Sequence, residues 1–412
     1  MKLVYAKTDE DGDKQLSFFI CIYVLSSSLN IAIKTIFSIP EPAWSIISYG
    51  FEVVDIIALI IAVPVLFNRE KTRLVLTEAV FGVLYLFSFL FNNAETSLLI
   101  STGFWTFAVC IPICIAGIAI YDKSILFDYL QKTALIEFPV LCIAIYTMRS
   151  VGTYSMSSSY ALVLPILFLF YQFFENRRIV ALGLGILGVI LVALFGARGP
   201  FLCIALYVIV KLFTGKNTVR NMIIRTVVIV SVALLMIYWN TVLNGIQTFL
   251  QNSGIKSYAL RRLINGQLTE SLSRKTLQAY YINEIGNKPI FGYGLMGGWL
   301  GSGEGPHNML LEFLLAFGIP IGSVACIYAV YLLVVSVFKR EGKTGEVVLI
   351  LAAYNFTMYL VSGNWLAKPL FFLYASLTIN MLRESRKSQF EIKMEQKKRL
   401  GAMYFYKDKS EA

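Results

Sequence analysis

The stretch SRKTLQAYYINEIGNKPIFGYGLMGGWLGSGEGPHNMLLEFLLAFGIPIG, residues 273–322, decides the fold. It begins as a polar segment, continues through a glycine-rich run and reaches His307, the single histidine of the chain. Directly after His307 the sequence turns apolar for longer than the roughly 20 residues that a helix needs to cross a bilayer. The stretch therefore predicts a membrane boundary with a titratable side chain placed at it.

The composition indicates the class of protein. The chain has 412 residues, of which 57% are hydrophobic and 15% charged, and its mean hydropathy is +0.68. Soluble domains carry about 25% charged residues, and continuous apolar runs do not fit the alternating pattern of a transmembrane barrel. We therefore expect an all-α polytopic membrane protein.

The net charge of +11 is explained by an excess of Lys and Arg on the cytoplasmic side rather than by nucleic-acid binding. The six cysteines lie inside apolar runs and are expected to serve as packing residues.

Twelve membrane spans are predicted within a single transmembrane domain, 1–412. They cover residues 16–37, 43–67, 74–91, 98–120, 124–148, 159–174, 179–196, 200–213, 222–243, 308–338, 346–363 and 367–382. The polar N-terminal tail that precedes them is expected to be mobile.

The placement of Lys and Arg predicts the orientation. With the N-terminus inside, 26 of the 36 Lys and Arg residues fall in cytoplasmic segments, and every alternate loop agrees. These segments are the N-terminal tail, 68–73, the turn at Lys123, 175–178, 211–225, 339–346 and the C-terminal tail. Both termini are then cytoplasmic, and residues 383–412 form a basic cytoplasmic tail. Residues 244–307 form a large extracytoplasmic loop, and loops of this length are usually functional. Within the loop, the spacing of Leu277, Tyr280, Tyr281 and Ile285 predicts an amphipathic helix along the outer membrane face that ends near 287–289.

His307 is the first candidate for chemistry. It follows Pro306, a residue favoured at helix starts, so we expect it in the first turn of the next span. Its imidazole can accept a proton from a hydroxyl near neutral pH. The alternative is an interfacial histidine that only donates or accepts a hydrogen bond with the loop backbone.

The glycine-rich run before His307 lacks the preceding strand and the GK[ST] ending of a nucleotide-binding loop. We interpret it as a tightly turning or flexible rim of the site.

Two arginines are predicted on the same outer face as His307. Arg198 lies at the junction of two spans and Arg274 leads the outer helix, and guanidinium groups match phosphate oxygens. The alternative for Arg198 is an interfacial side chain that snorkels. Supporting roles are open to Arg261 and Arg262, which extend the positive patch or face water, and to Asn308. Glu304 is a candidate second carboxylate, although an exposed loop acid is the preferred interpretation.

Acidic residues inside predicted spans support a second class of function. Glu52, Asp55, Glu78, Asp128 and Glu137 are candidates for proton or ion coupling in a transporter or flippase of lipid-linked sugars. Alternatively they pair with Lys132 or with hydroxyl groups inside the bundle. A transporter requires these acids and not His307.

The segment at 273–322 resembles the O-antigen ligase and Wzy polymerase superfamily of bacterial polytopic membrane glycosyltransferases. The resemblance rests on the arginine-led outer helix, KPIFGYG, the glycine-rich spacer, and the His-Asn, Leu-Glu and Gly-Ile-x-x-Gly pattern in 307–322. GARGPF at 196–201 is similar to the short arginine motif of these proteins, with Ala197 where Ser is common. These motifs cover roughly 55 residues.

The resemblance implies a GT-C-like fold and a metal-independent inverting glycosyltransferase without a cofactor, located in the bacterial cytoplasmic membrane with its active site facing outward. Its donor would be an undecaprenyl-diphosphate-linked glycan whose diphosphate Arg198 and Arg274 hold, and His307 would activate the acceptor hydroxyl. Polymerase and ligase share the donor and differ in the acceptor. We favour a polymerase of capsular, exopolysaccharide or O-antigen repeat units, with a flippase and a chain-length regulator as expected partners.

Overall fold

The computed structural model describes residues 2–91, 96–148, 156–195, 198–214, 219–252, 272–299, 305–339, 342–361 and 365–385. This part of the chain is about 91% helical and contains no strand. In chain order its helices are α1 (Lys2–Phe37), α2 (Glu41–Phe91), α3 (Thr96–Trp105), α4 (Ile111–Ala119), α5 (Lys123–Met148), α6 (Met156–Ala161), α7 (Val163–Asn176), α8 (Ile179–Phe195), α9 (Arg198–Thr214), α10 (Val219–Ile237), α11 (Trp239–Asn252), α12 (Leu272–Asn287), α13 (Met309–Phe338), α14 (Gly342–Val361) and α15 (369–385). A π-helical turn (Thr106–Cys110) joins α3 to α4.

The helical content and the apolar helices confirm the predicted class, an all-α membrane protein. Six helical stretches among the described residues are long and apolar enough to cross a membrane, namely Asp9–Phe37, Pro42–Leu90, Ser97–Ala119, Lys123–Thr147, Met156–Asn176 and Met309–Phe338. Shorter apolar helices cover Ile179–Val192 and Gly199–Thr214. The count of twelve spans and the large outer loop stay predictions, and much of that loop lies outside the described residues.

The stretch α2 is interrupted where the sequence predicts a cytoplasmic turn. A straight helix of its 51 residues would be about 75 Å long, more than twice the thickness of the hydrocarbon core. Glu70 has non-helical φ/ψ of −139° and 32°, which divides the stretch into two helices. The predicted spans 43–67 and 74–91 lie on the two sides of this break.

The interior is one large apolar cluster. It is built mainly from α1, α2, α4, α5, α7, α9, α14 and α15. The outer faces of several helices are apolar as well: Ile60, Val83 and Ile327 are all more than 60% exposed. Broad exposed apolar surfaces are unfavourable in water and are the surfaces that lipid covers.

The N-terminal tail is helical, which corrects the expectation of a mobile tail. Its Asp13 is buried and accepts hydrogen bonds from Arg69 Nη1 at 2.5 Å and from the backbone N–H groups of Tyr121 and Asp122 at 3.0 and 2.8 Å. Arg69 also donates to the Ala119 carbonyl at 2.9 Å, and its guanidinium lies 4.4 Å from the centre of the Tyr121 ring. The polar sequence is therefore ordered because its carboxylate pairs with a cation from α2.

Other polar contacts join segments that the sequence assigns to the same side. Lys123 pairs with Glu384 at 2.6 Å and Lys211 with Glu346 at 2.8 Å, all four in predicted cytoplasmic ends. At the other end of the bundle, Leu295 N donates to Ser88 Oγ at 2.6 Å. These contacts agree with the predicted alternation of loops, while the orientation in the membrane stays a prediction.

Replacing Arg69 with Met should lower the free energy of unfolding by about 3–5 kcal/mol, because Asp13 would remain buried without its cation. Thermal unfolding of the detergent-purified protein measures the change. The control is Lys343→Met, which breaks a 2.7 Å pair with Asp128 whose side chains are 44% and 46% exposed. Exposed pairs contribute about 0–1 kcal/mol, so equal losses in the two variants would contradict the assigned role of Arg69.

Candidate functional site

The helix after His307 is broken one third of the way along. Gly318 has φ 72° and ψ 177°, a conformation that is essentially restricted to glycine. In a continuous helix the carbonyls of Leu315 and Ala316 would accept from residues 319 and 320. The break turns the Ile319 N–H away, and Pro320 has no N–H to give. Two carbonyls of α13 therefore need other donors.

The loop after α12 supplies these donors. Tyr293 N donates to Leu315 O at 2.7 Å and Gly294 N donates to Ala316 O at 2.9 Å. In return, Ile319 N donates to the Pro289 carbonyl at 2.7 Å. We call this set of three hydrogen bonds the interlock. It satisfies backbone groups that would otherwise be unpaired in an apolar environment, where each would cost several kcal/mol.

Two glycines allow the backbones to approach this closely. A Cβ at Gly318 would lie 2.2 Å from the Ile290 carbonyl oxygen, and a Cβ at Gly292 would lie 2.5 Å from the nitrogen of Gly318. Gly292 also has φ of 65°. The GYG and GIPIG segments are therefore the two halves of one structural joint.

The helix α12 packs against the interlock from one side. Tyr281 is fully buried and contacts Tyr293 and Leu315 in a small apolar cluster. The Tyr293 hydroxyl donates to Glu284 Oε2 at 2.6 Å, and burial together with this carboxylate raises the pKa of Tyr293 to about 12. The predicted outer helix is thus present and ends at Asn287, as the sequence indicates.

His307 precedes α13 and does not lie in its first turn, which corrects the prediction. The helix begins at Met309, and Asn308 is its N-cap, with the side-chain oxygen accepting from Leu310 N at 3.0 Å and Leu311 N at 3.3 Å. His307 has a left-handed φ of 51° and a half-buried side chain. The side chain of Asn308 caps the N-terminus of α13. His307 therefore lies just before the helix, next to the positive end of its dipole.

A cleft lies beside this helix start. It is lined by Leu295, Met296, Gly297, Trp299, Glu312, Ala316, Trp365 and Leu366, and its enclosed space is large enough for about one water-sized group. One lining residue, Trp365, packs against Phe313 with the two ring centres 5.1 Å apart. The cleft therefore combines apolar walls with a carboxylate and an indole N–H, a composition typical of ligand sites.

Two polar atoms in this cleft are buried without a hydrogen-bond partner. One is Oε1 of Glu312, whose other oxygen accepts from Trp365 N at 3.4 Å. The other is Nε1 of Trp299, against which the backbone of Gly305 packs. Buried polar atoms are satisfied in most native structures, so both atoms indicate an absent partner.

The other predicted site residues are only partly described. Arg198 is the first residue of α9 and Arg274 lies in the first turn of α12, but their side chains lie outside the described part of the structure. Arg261, Arg262 and Glu304 lie outside the described residues altogether. Convergence of the two guanidinium groups with His307 stays a prediction.

Sequence reasoning missed the polar residues of the cleft. Glu312 appears in the sequence analysis only as part of a motif, although an acid inside the apolar run 309–338 is itself a signal of function. Trp299 looks like one more residue of the glycine-rich run. Ser88, which accepts from Leu295 N and donates to Leu84 O at 2.7 Å, is indistinguishable from other serines in spans.

The acids inside the spans have mixed surroundings. Asp55 and Glu137 are buried. Asp55 lies near the hydroxyl of Ser26; Glu137 lies near Ser28, but neither of its oxygens has a hydrogen-bond partner by geometry. Asp128 pairs instead with Lys343, not with Lys132. The six cysteines are free.

Comparison of the chain with protein-family models, with curated proteins and with solved structures finds no match in any of the three.

Gly318→Ala tests the interlock. The variant should lose about 1–3 kcal/mol of stability from backbone strain alone, and more from the contact with the Ile290 carbonyl. Thermal unfolding in detergent is the measurement. Gly82→Ala is the control, because nothing lies within 4 Å of a Cβ there and Ala is favoured in a helix. An unfolding temperature for Gly318→Ala equal to that of the control would show that the break is not required.

Proposed function

We propose that the chain is a membrane glycan polymerase of the O-antigen ligase and Wzy type, which joins undecaprenyl-diphosphate-linked oligosaccharide repeat units at the outer face of the membrane. The observation that carries the proposal is the placement of His307. The segment with the family-like motifs contains the interlock, and His307 directly precedes α13, whose first turn carries Glu312 of the cleft with unsatisfied polar atoms.

In the proposed reaction, the acceptor sugar hydroxyl attacks the anomeric carbon of the donor. The hydroxyl proton passes to the His307 imidazole, the new glycosidic bond forms, and the bond between the anomeric carbon and the phosphate oxygen breaks. Undecaprenyl diphosphate leaves with its negative charge. Arg198 and Arg274 stabilise this charge as preorganised cations, so the step needs no metal ion.

The test is glycan length in cells whose native copy is replaced by His307→Asn. Asn tolerates the left-handed backbone of this position better than Ala does, so the variant removes the imidazole with little strain. Loss of a general base lowers the rate by about 10²–10⁴-fold, and long chains should disappear from gels while membrane expression is unchanged. Lys343→Gln, at the predicted cytoplasmic end, is the control and should keep the ladder.

The glycans that remain in His307→Asn distinguish a polymerase from a ligase. One-repeat material on the final acceptor supports the polymerase. Long chains that accumulate on the undecaprenyl carrier would instead identify a ligase that transfers the finished glycan to a lipid A core or a protein. A normal ladder in His307→Asn would exclude the catalytic role of His307.

A transporter or flippase of lipid-linked sugars is the second candidate, because Asp55 and Glu137 are buried acids inside the bundle. The polymerase proposal predicts that Asp55→Asn and Glu137→Gln keep the glycan ladder, provided that both variants are expressed. Loss of all surface glycan in these two variants, with a normal ladder in His307→Asn, would favour the transporter.

A further inference from the structure

The unpartnered atoms of the cleft come from two different segments. Trp299 belongs to the short 3₁₀ turn Gly297–Trp299, and Glu312 lies in the first turn of α13, where it is 8% exposed. Both residues line the same cleft. A donor and an acceptor left open toward one space are complementary to a single chemical group that both accepts and donates.

A hydroxyl is such a group, since it offers one O–H donor and two acceptor lone pairs. Phosphate oxygens do not fit, because they only accept hydrogen bonds, whereas Glu312 Oε1 needs a donor. Lys368 interacts electrostatically with Glu312 but does not line the cleft. An apolar ligand would leave both atoms unsatisfied. The enclosed space holds about one water-sized group, so a hydroxyl fits inside it and the ring that carries the hydroxyl would stay outside.

We infer that this cleft is a hydroxyl-binding subsite for a sugar of the repeat unit, in which Glu312 Oε1 accepts from a sugar hydroxyl and Trp299 Nε1 donates to the same or the adjacent one. Only the hydroxyl, a group about the size of a water molecule, has to enter between the two side chains. The identity of the ligand as a repeat unit rests on the proposed function.

The surrounding structure fixes both side chains for this task. Trp365 N holds the second oxygen of Glu312, so Oε1 is left for the ligand. Gly305 packs on the indole of Trp299, and a Cβ there would lie 3.1 Å from Nε1. Gly305 is two residues before His307, so the indole is in contact with the segment that carries the imidazole. A sugar bound here would have its hydroxyl groups near the base.

The experiment measures binding without turnover. The full-length protein is placed in phosphatidylcholine nanodiscs, whose headgroups carry no hydroxyl, and titrated with radiolabelled lipid-linked repeat units extracted from cells that lack the gene. Trp299→Phe removes the N–H and keeps a ring. Glu312→Gln lets the carboxamide oxygen keep the Trp365 N–H and turns the group facing the cleft into a donor.

Each variant should raise the Kd for repeat units about fivefold to tenfold, the effect of one lost hydrogen bond. Trp44→Phe, which removes an indole N–H elsewhere in the chain, is the matched control and should bind like the wild type. Unfolding temperatures of all variants are compared, and if Trp299→Phe does not fold, Glu312→Gln alone decides.

Unchanged affinity in both folded variants would overturn the inference and leave a bound water as the partner of the two atoms. A loss in only one of two folded variants would overturn it too, because the subsite requires both. A different result would contradict the polymerase proposal alone. Weaker binding in both variants, together with a normal glycan ladder in His307→Asn, would support the sugar subsite and exclude the catalytic role of His307.

Discussion

The site depends on the two backbone carbonyls of Leu315 and Ala316 that the break at Gly318 releases. In a membrane these groups find no water, so a partner from the protein is obligatory. The partner is the loop 289–294, whose own N–H groups would be equally costly if left alone. One constraint therefore orders a loop that has no regular secondary structure, and it fixes where the chain enters the glycine-rich run.

The interlock is connected to the bundle at further points. Ser88 binds Leu295 N and ties the loop to α2, while Glu312 accepts from Trp365 N and ties α13 to the segment before α15. At the other end of the bundle, Arg69 and Asp13 join α1, α2 and the connection to α5. Polar contacts thus fix the ends of helices whose middle is held by apolar packing, which has little directional preference.

The helices could be predicted from the sequence, because each predicted span is a long apolar run with polar residues at its ends. The break in α2 at Glu70 could also be predicted, because charged residues surround it. The end of α12 at Asn287 could be predicted from the proline that follows it. The order of the N-terminal tail was not, because it depends on a pairing of Asp13 with Arg69, 56 residues away. The role of Gly318 was hidden for the same reason: its need for glycine arises from the loop at Ile290, not from its own neighbours.

The residues of the family-like motifs divide into those with a structural role and those with a candidate chemical role. Gly292 of GYG and Gly318 of GIPIG are explained by the interlock, which requires them whatever the protein does. They are therefore evidence for an architecture, in which a broken helix is completed by the preceding loop. Evidence for chemistry is confined to residues that the interlock does not need, namely His307, Arg198 and Arg274, and to the unsatisfied pair Glu312 and Trp299. A chain that kept every glycine and lost His307 would still form this joint, so the function must be decided at the imidazole.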